Sequence, residues 1–114
     1  MNYTVEEKSF QFAVQIVNLY RYFTDIKKEF VLSKQLLRCG TSIGANIAEA
    51  QQAQSRADFI SKLSIALKEA CETDYWLRLL NAADMLSDTE FSSLVNDCRE
   101  IEKMLTAIIK TSKL

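Results

Sequence analysis

The last quarter of the chain carries the plainest pattern. Phe91, Leu94, Val95, Cys98, Ile101, Leu105, Ile108 and Ile109 recur every three or four positions, which places them on one stripe of an α-helix. Arg99, Glu100, Lys103 and Lys110 fall on the other side and are expected to be wet. Thr4 with Glu7 and Ser87 with Glu90 have the spacing of capping boxes, and Ser55 with Asp58 is a shorter relative, so three helix starts are marked in the sequence. The expected helices run over about Val5–Phe23, Val31–Ala53, Arg56–Ala83 and Asp88–Thr111. The start of the second carries no clear signal. Short links between long helices predict an all-α, antiparallel up-down-up-down four-helix bundle, one domain over residues 1–114.

Three of these helices are apolar over more than one bundle core can cover. The first spreads Phe10, Phe12, Ala13, Val14, Ile16, Val17, Leu19, Tyr20 and Phe23 around more than half its circumference. The third has a main stripe of Phe59, Leu63, Ala66, Leu67, Ala70 and Leu77, and a second on its far side from Ile65, Trp76, Leu79 and Ala83. The second contains Cys39 to Ala48 without a single charge. Apolar surface of that extent marks an interface, so self-association is expected, with Ile65, Trp76, Leu79 and Ala83 as its contact residues. Gly40, Gly44 and Ala48 recur every four residues and form a strip where another backbone can approach; tight helix packing is favoured there over a hinge or ligand pocket. Each glycine costs about 1 kcal/mol relative to alanine in a helix, so a local contact should compensate.

Composition narrows the picture further. The chain has no proline and two glycines in 114 residues, too few for the turns of an all-β fold. Fourteen basic against fifteen acidic side chains leave a net charge of −1 and no global field for nucleic acid or anionic lipid. The amino terminus carries Glu6 and Glu7 where a signal peptide would be basic and apolar, so a cytoplasmic protein without membrane partners is expected. Cys39, Cys71 and Cys98 are odd in number and lack CxxC spacing, which argues for small residues in or near the core over disulfides or a metal site.

One polar set stands out. Arg38, Ser42, Asn46 and Glu49 share a sector of the second helix, and Glu69 and Glu72 lie on the less apolar side of the third. Inward carboxylates suggest di-iron chemistry, but those sites use Glu-x-x-His motifs and this chain has no histidine. General acid–base catalysis fares no better, since neither a nucleophile nor a substrate pocket is identifiable. The favoured reading is a structural network, an Arg38–Glu72 pair with Asn46 at a buried helix or subunit junction. Asp74, inside the main apolar stripe, is expected to be relieved by Arg78 one turn on or by the bundle's open end.

The stretch LSKQLLRCGTSIGANIAEA, followed by SRADFISKLSIALKEACETDYWLRLL, resembles the bacterial four-helix bundle protein family, also called the 23S rRNA-intervening sequence protein family. The resemblance is carried by Arg38, Ser42-Ile43, Asn46 to Glu49, Ser55 to Ile60, Ser64 to Ala66 and Glu72-Thr73, and extends less sharply over the flanking helices. Gly44 stands where many members have proline, and Ala50 where many have glycine. The resemblance implies a ring-shaped homopentamer. It also implies a link to ribosomal RNA genes, in whose inserts some members are encoded, and to accessory proteins of reverse transcriptases, although those relatives are notably basic. The expected function is therefore a non-enzymatic assembly or adaptor module without cofactor or metal, the alternative being a nucleic-acid-associated protein.

Overall fold

The computed structural model describes residues 3–114, in which four α-helices and no strands are found. They are α1 (Val5–Asp25), α2 (Leu32–Ala50), α3 (Arg56–Ala82) and α4 (Asp88–Ser112). Each helix packs on its neighbours in the chain, and α1 also meets α4, less extensively.

The marked starts are made by the side chains that mark them. Thr4 Oγ1 accepts from Glu7 N at 3.1 Å while Glu7 Oε1 accepts from Thr4 N at 3.3 Å, a complete capping box. Ser55 accepts from Asp58 N and Ser87 from Glu90 N. The unmarked start of α2 is capped from outside the helix. The Glu29 carboxylate accepts from the backbone N–H groups of Val31, Leu32 and Ser33 at 2.7 to 3.0 Å. Burial pushes the Glu29 pKa up, but these hydrogen bonds outweigh it and hold the carboxyl below the usual range. At the other end α2 stops at Ala50, short of the expected Ala53, because Gln51 to Gln54 turn the chain toward the Ser55 cap.

The core lies along the shared axis. Phe12, Ile16, Phe23, Leu36, Ile43, Ile47, Leu63, Leu77, Leu80, Ile101 and Leu105 are all essentially sealed from solvent. Burying each such side chain is worth about 1.5–3 kcal/mol, which makes this cluster the main source of stability. Thr73 is also sealed within α3, its hydroxyl donating to the Glu69 carbonyl at 2.8 Å. Cys39 and Cys98 are buried as expected, but Cys71 is exposed, a correction to its placement near the core.

The glycine strip divides by neighbour. A Cβ on Gly40 would lie 3.0 Å from both Cγ1 and Cγ2 of Ile16, a fully buried side chain in α1 that would have to give way. A Cβ on Gly44 would meet the Ser9 carbonyl at 3.4 Å, an ordinary contact. Ala48 is exposed. Gly40→Ala is therefore predicted to lower stability by about 1–2 kcal/mol, overpacking at Ile16 outweighing the gain in helix propensity. Gly44→Ala should be neutral or stabilising by up to about 1 kcal/mol. Urea unfolding midpoints of the two variants check the contrast, and equal losses would contradict it.

Candidate functional site

The polar residues of α2 and α3 form two separate groups. Arg38 reaches Glu69 at 3.4 Å and pairs with Glu72, whose carboxylate also accepts from the Trp76 indole N–H at 3.1 Å. This is a cation, two carboxylates and an indole on one outer seam. The Arg38 side chain is 50% exposed and Glu72 37%, so within one chain the pair is half-open and not buried. Ser42 and Asn46 do not join it. Their side chains donate to carbonyls one turn back on α2, Ser42 to Arg38 at 2.7 Å and Asn46 to Ser42 at 2.8 Å. Glu49 pairs instead with Lys62 at 3.3 Å.

The seam between α3 and α4 is more enclosed. Asp74 is met by Arg78 Nε at 2.9 Å and Arg99 Nε at 2.8 Å, with its own side chain only 13% exposed. Burial works to raise the Asp74 pKa, but hydrogen bonds from Arg99 and then Arg78, with their charges, overcome it and hold the carboxyl low. Arg78 was legible one turn away, whereas Arg99 comes from a different helix and sits on the side of α4 expected to be purely solvated. Next to this group, Cys71 and Cys98 both donate toward Glu102, at 3.5 and 3.8 Å. Burial raises the Glu102 pKa, and burial, followed by the Glu102 charge, pushes both thiols up. Thiols held protonated in this way are weak nucleophiles. Among the described residues no three His, Cys, Asp or Glu side chains gather as a metal site.

Large apolar side chains also stand exposed in two stripes, one on α1 and one on α3. Phe10 is 71% exposed, and Val14 and Val17 continue its stripe along α1. Ile65, Tyr75 and Leu79 stand exposed on α3, with Trp76 half-buried beside them and Ala83 open beyond. Between α1 and α2, Phe10, Ala13, Thr41, Gly44, Ala45 and Ala48 line a groove of about 530 Å³. Helix α4 contributes none of the exposed large apolar residues found among the described positions. Ile26, Phe30 and Val31 extend the exposed apolar surface into the α1–α2 link. No helix among the described residues is long and apolar enough to cross a membrane.

Four helices, three of them capped by their own side chains, and exposed apolar stripes on α1 and α3 define an all-α helical protein. The chain matches the model of the 23S rRNA-intervening sequence protein family over residues 1–107 and belongs to that family. Among solved structures it is similar to a protein with unknown function from the S23 ribosomal protein family of Bacteroides thetaiotaomicron VPI-5482. The two are 60% identical with a TM-score of 0.92, over 94% of this chain and 99% of that one. Comparison with curated proteins gives no match.

The two ion-pair seams should respond differently to substitution. Arg38→Ala removes a half-exposed pair and is predicted to change stability by under about 1 kcal/mol in the separated chain. Arg99→Ala leaves the enclosed Asp74 with one partner and should cost about 1–2 kcal/mol, low in the range for charge-assisted bonds because the guanidinium is half-exposed. The Asp74 pKa is depressed on folding, so its contribution is complete above the free aspartate value of about 4 and is lost as pH falls through the folded value. Denaturant midpoints below about pH 4 should therefore fall less steeply for Asp74→Asn than for the wild type. Parallel acid limbs would contradict this.

Proposed function

We propose that this chain is a single antiparallel up-down-up-down domain that works as a cytoplasmic homo-oligomer, an assembly or adaptor module and not an enzyme. The topology is supported by contacts that descend one helix as they ascend the next. Ile16 meets Gly40 and Ser9 meets Gly44; Arg38 meets Glu72 and Glu49 meets Lys62; Cys71 meets Glu102 and Asp74 meets Arg99. This pattern supports opposite directions for each pair of helices adjacent in the chain.

The observation that carries self-association is the pair of exposed apolar stripes, one on α1 and one on α3, with α4 free of exposed large apolar residues. Scattered apolar residues are ordinary on a surface, but a stripe of Phe10, Val14 and Val17 on one helix and of Ile65, Tyr75 and Leu79 on another is interface-like. Ile65, Trp76, Leu79 and Ala83 belong to that interface in this reading, and the Arg38–Glu72 pair beside them becomes a subunit junction. Resemblance to the family makes five the expected subunit number. An adaptor needs a surface and no reacting groups, which agrees with thiols held protonated and carboxylates engaged by arginines.

A second reading, association with nucleic acid, rests on the family's name and on Lys27, Lys28 and Lys34. These lie together in sequence at one end of the bundle with no ion-pair partner among the described residues, and a ring would repeat them. The net charge of −1 weighs against it. A filter-binding titration with RNA decides, since phosphate contacts make affinity fall steeply with salt.

Light scattering coupled to size exclusion tests the main reading. The wild type at micromolar concentration is predicted to run as a multiple of its 13.0 kDa chain, with five as the expected multiple. A 13.0 kDa monomer would contradict it.

A further inference from the structure

Resting on the homo-oligomer reading above, we infer that the contact is heterologous: the Phe10–Val14–Val17 stripe of α1 packs on the Ile65–Leu79 side of α3 in the next copy. Placement is the first ground. Within the chain α1 touches α2 and α4, and α3 touches α2 and α4, but α1 and α3 do not touch among the described residues. The two apolar stripes therefore lie on diagonally opposed corners of the bundle, both leaning toward the α2 side. An isologous pair built on one stripe leaves the other bare. A contact that joins one stripe to the other covers both on every copy and closes a ring, with α2 toward the axis and the polar α4 outermost.

Height along the bundle is the second ground. Ser9 lies against Gly44 and Ile16 against Gly40, while Glu49 meets Lys62 and Arg38 meets Glu72. Carrying these levels across α2 puts Phe10 level with Ile65 and Arg21 level with Tyr75 and Trp76, one turn from Glu72. Copies related by rotation about an axis along the bundle sit at equal height, so these residues face each other across the contact. Their chemistry agrees. Phe10 and Ile65 are both exposed and apolar. Arg21 continues the α1 stripe one turn beyond Val17, is exposed, and has no ion-pair partner among the described residues. The neighbouring copy offers it the half-open Glu72 carboxylate and the exposed Tyr75 ring, a carboxylate and an aromatic face that a guanidinium can both engage.

Disulfide trapping tests the assignment in the full chain carrying Cys71→Ser, since Cys39 and Cys98 are buried. After treatment with diamide, Phe10→Cys combined with Ile65→Cys should give a ladder of covalent oligomers on a denaturing gel. Each substitution alone should give almost none. Covalent dimer as the main product of either single variant would show an isologous contact and overturn the inference. So would a double variant that stays assembled by light scattering without forming a ladder. If these substitutions dissolve the assembly, Arg21→Cys with Tyr75→Cys asks the same question at the polar end of the contact, and absence of a ladder there also overturns it. A wild type that is monomeric in light scattering would instead remove the self-association reading on which the inference stands.

Discussion

The close approach of α2 to α1 at Gly40 shapes the rest of the bundle. With Ile16 already in contact with the space a Cβ would fill, α2 lies flat against α1 on one side while its opposite edge engages α3 through Arg38 and Glu49. A helix wedged between two others in this way uses its chargeless middle, Cys39 to Ala48, to hold the bundle together. The consequence appears on its neighbours. The surplus apolar residues of α1 and α3 cannot all turn inward, because Phe12, Ile16, Leu63 and Leu77 already fill the core, so Phe10, Val14, Ile65 and Leu79 remain outside.

Much of this architecture was legible in the sequence for local reasons. The α4 stripe and the Thr4, Ser55 and Ser87 caps depend on residues within one turn of each other, and such signals survive without knowledge of tertiary structure. The second stripe of α3 was legible by the same periodicity. The start of α2 was not, because Glu29 caps it by reaching forward from the link and matches no standard cap pattern. Arg99 was missed as the partner of Asp74 because the pairing depends on the register between α3 and α4. Cys71 was misplaced by residue type: cysteines are buried on average, but this one faces the α4 edge beside Glu102.

The polar set was legible as a neighbourhood but not as a network. Arg38, Glu69 and Glu72 do meet, while Ser42 and Asn46 satisfy themselves on their own helix and Glu49 takes Lys62. A half-open pair of this kind adds little to the stability of one chain. At the edge of an apolar surface, the use proposed for it is to orient a partner that brings its own charge. Family membership and a 60% identical structural relative of unknown function fix the fold class without assigning a reaction, so the surface is the feature from which a role is argued.

Coverage of the α1 and α3 apolar stripes by another copy is the central claim. Trp76, the sole tryptophan, reports on it directly because it lies half-buried on α3 among the residues concerned. Acrylamide quenching of its fluorescence should be compared between the wild type and Val14→Asp, a substitution on α1, which does not touch α3 within the chain. The wild-type indole is predicted to be protected several-fold better than that of the variant, because a charge on α1 uncovers α3 of the neighbouring copy. Equal quenching in the two proteins would contradict it.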